Sequence, residues 1–191
     1  MMPTTRTGAL LLILCSHAAL AADIDGSPCR MVDPAELATM GFRIDRVPAT
    51  SVMDLHKGDI DAPVDTHSEV CTFLAGYSGD RLGLQVTVDT FAEKVSEAQL
   101  HAWTEVIMRG DQARFTESRI GNATCEVGEF ELMYERSNEL EGIQHFVSCE
   151  MLQIGGVRRV NIYFQVPEDR ALLPTTERVK ALLDKIAGQQ I

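Results

Sequence analysis

Residues 53 to 69, MDLHKGDIDAPVDTHSE, hold the densest set of side chains able to do chemistry. Asp54, Asp59, Asp61, Asp65 and Glu69 supply carboxylates, and His56 and His67 supply imidazoles. Histidine and carboxylate together suit a divalent cation such as zinc or manganese. Carboxylates on a long exposed loop equally suit contact with a basic protein, because function concentrates in such loops. The seven residues lack the fixed spacing of a known metal motif. They are therefore read as a partner-contact loop with no resident metal or cofactor, and a solvated acidic loop is the plainer alternative.

The remaining candidates are sparser. His101 lies beside Trp103 on a helical stretch and is read as flanking its packed face. His145 is expected on a strand, opposite the side of Phe146, facing water. Glu129, Glu131 and Glu135 alternate along one segment and Glu150 lies in the next. Two facing carboxylates can do acid–base work, but alternating acids on the wet side of an antiparallel sheet account for them more simply. Asn122-Ala123-Thr124 matches a glycosylation sequon, which a bacterial origin would make a chance match. Nucleophile elbow, HExxH, phosphate-binding glycine loop and EF-hand loop are all missing from the sequence. The expectation is a non-catalytic protein.

Four cysteines follow the leader: Cys29, Cys71, Cys125 and Cys149. An even count in an exported chain implies two disulfides, with three possible connectivities. There is no CxxC and no close Cys/His pair, which argues against zinc. Residues 1 to 21 read as a signal peptide: Arg6 is the positive start, ALLLILC an apolar run too short to span a bilayer, and ALAA a small-residue cleavage site. Cys15 is preceded by Leu14 rather than a small residue, which disfavours lipid attachment. Residues 22 to 191 then form one domain, periplasmic or secreted, with no membrane span expected. Losing Arg6 deepens the net charge from −11 to −12. That excess of acid argues against nucleic acid and anionic lipid as partners; it suits a basic protein partner, while an aid to solubility alone is the plainer reading.

The elements that must position these groups follow from turn and periodicity signals. Asp33-Pro34-Ala35-Glu36 starts a helix over 34–40, with Asp33 placed to cap the Glu36 amide and Gly41 to end it. So short a helix needs an anchor. Cys29 supplies one, most simply through Cys71, and closure of such a loop is worth roughly 3–4 kcal/mol. VCTFLAGY and RLGLQVTVDTF read as two strands turning at Ser78-Gly79-Asp80. Ser96 and Gln99 form a capping box for a helix over 96–109. Strands follow at about 121–134, 143–153 and 157–166, the first two turning through SNELEG, which brings Cys125 near Cys149 in register. Val179, Leu182, Leu183 and Ile186 stripe a final helix over 175–187. Residues 43–69 and 110–119 give no strand pattern. The expected fold is α+β: a twisted antiparallel sheet of about five strands, helices packed on one face, and two disulfides.

Pro28-Cys29, the Glu36–Gly41 helix end, Cys71-Thr72-Phe73 and LGLQVTV carry a resemblance. Across residues 28–90 the chain resembles bacterial cell-envelope domains of lipoprotein type, of unknown function. It departs from them in having Thr72 where an aromatic usually follows the second cysteine, and in lacking the lipid-attachment cysteine. The resemblance implies a Mog1/PsbP-like fold and transfers no catalytic residue. Together these readings lead to an exported module that binds another protein, such as an inhibitor or immunity protein against a toxin or envelope enzyme. A periplasmic carrier or sensor for a small molecule or divalent metal is the alternative.

Overall fold

The computed structural model describes residues 27–42, 48–77, 80–109, 114–133, 140–167 and 170–189. Residues 1–26, which include the expected signal peptide, Ser78-Gly79 and the first half of the SNELEG turn lie outside them. The elements run α1 (Pro34–Thr39), β1 (Ala49–Leu55), β2 (Thr66–Tyr77), β3 (Asp80–Phe91), α2 (Glu97–Arg109), β4 (Arg114–Ile120), β5 (Ala123–Met133), β6 (Leu140–Gln153), β7 (Arg158–Pro167) and α3 (Thr176–Ala187). The strands form one antiparallel sheet in the order β1-β2-β3-β7-β6-β5-β4.

This corrects the five-strand expectation. The two additional strands, β1 and β4, are the two ends of the sheet. Six of the seven β1 side chains are exposed, and β4 has no fully buried one. β1 buries only Leu55 and β4 buries no side chain fully, too little to write an apolar alternation; backbone pairing with β2 and β5 is what makes these segments strands.

The helices also do not share one face. Period-two alternation sends Leu84, Val86 and Val88 of β3, and Val160, Ile162, Phe164 and Val166 of β7, to one side. There α3 buries Val179, Leu182, Leu183 and Ile186 against them, and Leu37 of α1 joins the same core. The opposite side holds a second, smaller core in which Leu100 and Trp103 of α2 meet Phe91, Leu55 and Val64. We call these the α3 face and the α2 face. A helix stripe records that a face is buried, not on which side of a sheet, so the sequence left this open.

Local signals behave as their chemistry dictates, with one difference. Ser96 and Gln99 form the reciprocal box: the Gln99 amide donates to Ser96 Oγ at 3.2 Å and the Ser96 amide to Gln99 Oε1 at 3.0 Å. Asp33 instead accepts from the Ala35 amide at 2.8 Å, and Glu36 is engaged by Lys185 of α3. The disulfides are Cys29–Cys71 and Cys125–Cys149, the second joining directly opposed residues. They fit an oxidising, extracellular or periplasmic setting. No helix among the described residues is long and apolar enough to cross a membrane.

A tight 3₁₀ turn, Ile154–Gly156, joins β6 to β7 and carries the Val95 segment, whose amide donates to the Gly156 carbonyl at 2.8 Å. Gly155 and Gly156 both have positive φ, 62° and 98°. A Cβ on Gly156 would meet the Val95 carbonyl oxygen at 2.6 Å, whereas one on Gly155 meets only Lys94 side-chain atoms at 3.8 Å or more. Gly156→Ala should therefore cost roughly 2–4 kcal/mol, and Gly155→Ala about 1 kcal/mol, in urea unfolding. Equal losses would show that the close approach to Val95 is not the constraint.

Candidate functional site

The seven acidic and histidine residues fall on one hairpin, but they do not converge. Asp54 on β1 faces His67 on β2 in register, and the imidazole Nδ1 lies 2.7 Å from Asp54 Oδ1. Its Nε2 lies 3.4 Å from Glu69 Oε1. Positions 67 and 69 share a strand face, so the three side chains form one half-exposed row. The connection between the strands holds the other four. Asp59 Oδ2 accepts from the His56 amide at 2.9 Å, and Asp65 Oδ1 accepts from the Lys57 amide at 2.7 Å. His56 Nδ1 is 3.9 Å from Asp65. Asp61 is exposed, with a left-handed φ of 58°.

So the segment is not the exposed loop expected over 53–69. Its ends are strand, and its middle is a turn whose own carboxylates hold its backbone. The turn is docked as well: Trp103 Nε1 donates to the Ile60 carbonyl at 3.1 Å. Among the described residues no group of three His, Cys, Asp or Glu is arranged to hold a metal ion.

Asp54 above all, and Glu69 with it, raise the His67 pKa above the ordinary 6.5, against the opposing effect of desolvation. A raised histidine stabilises the fold fully below its unfolded pKa and loses that contribution as pH rises through the folded value.

A second cluster was missed in the sequence. On the α2 face, Arg159 is buried between Asp89, at 2.9 Å from Nη1, and Glu150, at 2.7 Å from Nη2. Its guanidinium carbon sits 5.7 Å from the centre of the Trp103 ring. Glu126 lies nearby, opposite Glu117 of β4 and only 7% exposed. Burial first, then Glu150 and Glu117, push its carboxyl up to about 7, while His101 and Arg159 pull weakly the other way. His101 lies 3.4 Å from Glu117 and so edges this acidic group rather than merely flanking α2. A shallow cleft of about 230 Å³ opens beside it, lined by Glu97, His101, Glu117, Arg119 and Glu150. The signal for Glu126 was only its alternation with Cys125 and Val127. Nothing in the sequence shows that α2 covers that side.

The other strand acids separate. Glu150 points to the α2 face, whereas Glu129 points to the α3 face, 3.5 Å from His145. His145 is 13% exposed by side chain, not a surface residue. Glu135 lies outside the described residues. No known protein family, no curated protein and no solved structure matches the chain.

Two titrations test these environments. By NMR, His67 should titrate above 6.5, and Asp54→Asn should return it toward that value; an unmoved His67 would remove Asp54 as the cause. Between about pH 4.5 and about 7 the folded chain holds a Glu126 proton that the unfolded chain has released, so this group makes stability fall as pH rises. Glu126→Gln should be more stable than wild type at pH 8 by roughly 1–3 kcal/mol, with the gap closing toward pH 4. A gap independent of pH would mean that packing, not ionisation, separates the two proteins.

Proposed function

We propose that this chain is an exported, non-catalytic module that binds a basic protein, acting as an inhibitor or immunity protein, and that the open edge of β1 is its docking strand. The observation carrying the reading is the state of that edge. β1 closes one end of the sheet and, among the described residues, pairs only with β2. An unpaired strand edge offers a row of amides and carbonyls to any incoming strand, and proteins normally guard it with lysine, proline or a bulge. Ala49–Leu55, ATSVMDL, has none of these; its single charge, Asp54, sits next to its end against His67, and its register with β2 is unbroken. Val52 and Met53 stand 63% and 47% exposed. At the other end of the sheet, β4 is guarded by Arg114, Glu117 and Arg119.

Charge supports the same reading. The turn beyond β1 presents Asp59, Asp61 and Asp65 on a chain of net charge −11. Acidic groups beside an open edge speed the approach of a basic partner, and strand addition then supplies backbone hydrogen bonds.

The test begins by immobilising the oxidised protein and exposing it to periplasmic and secreted extract at low and moderate salt. A retained basic protein is identified and its affinity measured. Val52→Lys/Met53→Lys should weaken that complex at least about tenfold, and Asp61→Lys, at the exposed turn acid, should slow association and flatten its salt dependence. Wild-type affinity in the edge variant would sink the edge as the docking strand. A partner lost only in the turn variant would move the site to the turn.

A further inference from the structure

On the α3 face, a cleft of about 600 Å³ separates the C-terminal end of α3 from the sheet. Four strands contribute to its floor through residues that share this face: Glu69 of β2 and Val88 of β3, then Arg158 of β7, paired with Thr90 of β3 on one side and Gln153 of β6 on the other. Val157 and Ala187 add apolar wall. The volume is within the range of small-molecule sites, and the lining is the usual mixture of apolar surface with few polar groups.

The polar groups are unusual in being unspent. Arg158 is only 9% exposed, yet no ion pair joins it to an acid among the described residues, and its Nη2 has no acceptor. Burial holds its guanidinium below the ordinary arginine range, but arginine stays cationic in proteins. A buried cation without a counter-ion is costly unless something supplies one. The planar fork of arginine fits a carboxylate best. Gln153 donates through Nε2 to the Ala187 carbonyl at 3.0 Å, which fixes the amide and leaves Oε1 with no donor. Glu69 lines the same cleft, 3.4 Å from His67 but not paired with Arg158. The carbonyl end of α3, which favours positive charge, closes the wall.

The cleft thus keeps one cation apart from several acceptors, with apolar surface between. We propose that it binds a small zwitterion, an α-amino acid with an apolar side chain, with its carboxylate on Arg158 and its ammonium toward Gln153 Oε1 and Glu69. The apolar side chain lies along Val88, Val157 and Ala187. This goes beyond the docking reading and stands without it, since it uses neither the outer edge of β1 nor the turn.

Calorimetric and NMR titrations with L-alanine, L-leucine and L-phenylalanine test it, alongside 4-methylpentanoate and isopentylamine, the acid and the amine of leucine. At least one amino acid should bind saturably below about 10 mM. Both half-molecules should bind at least about tenfold more weakly than leucine, each lacking one charge-assisted contact. Arg158→Gln should weaken the amino acid by a similar factor. Should that variant fail to fold, Thr90→Tyr, which fills the cleft from an exposed strand position, should abolish binding while leaving the melting transition intact. Absence of saturable binding by all three amino acids overturns the proposal. So does binding undiminished in both folded variants. Acid binding as tight as leucine would overturn the zwitterion and leave a monocarboxylate site. Loss of the protein partner in the β1 edge variant, with amino-acid binding retained, would show that the two sites are separate.

Discussion

The second layer of this protein hangs on one buried guanidinium. Arg159 stands near the middle of the sheet, where both faces are covered, and must bring its charge with it. Asp89 from β3 and Glu150 from β6 flank it on the two strands that neighbour β7, and Trp103 of α2 lies across it. Such a cluster adds little net stability compared with apolar packing. What it supplies is position. Trp103 is fixed between Arg159, Phe91 and the Ile60 carbonyl, so α2, the central strands and the β1–β2 turn meet at one residue. Remove one acid and the charge left behind is the destabilising event, since a buried unpaired ion costs several kcal/mol.

The central strands and the α3 stripe were legible because they bury one apolar face each, and burial writes itself into sequence with period 2 or 3.6. The outer strands were not. β1 was hidden among acids and β4 among polar residues, since β1 buries only Leu55 and β4 has no fully buried side chain. The order of the sheet was also out of reach. β3 pairs with β7 across more than a third of the chain, and no local signal announces a partner that distant. The cysteines were the exception, because Cys125 and Cys149 sit at matching distances from one turn.

The candidate sites divide along the same line. Residue types in the 53–69 segment were readable, but arrangement was not. Once Met53–Leu55 is strand, hairpin register alone brings Asp54 to His67. The turn acids then prove to be structural, since Asp59 and Asp65 cap backbone amides. Glu126 and the Arg158–Arg159 pair carried no motif at all. Adjacent residues in a strand point to opposite sides, so one arginine of that pair meets two acids beneath α2 and the other meets none beneath α3. Two identical side chains thus acquire opposite electrostatic situations from one peptide step.

That contrast also bears on what the α3 cleft can admit. The chain carries a net charge of −11, and its field repels anions at distances comparable to the Debye length. A simple carboxylate must climb that potential before it reaches Arg158, and must then share the cleft with Glu69. A zwitterion has no net charge to be repelled. As it enters, its two ends orient in the gradient between Arg158 and the acceptors around Gln153. The surface excess of acid therefore does two compatible things. On the two proposals, it would draw a basic protein toward the open edge of β1, and it would filter the small molecules that reach a buried, unpaired cation, favouring those that carry their own positive charge.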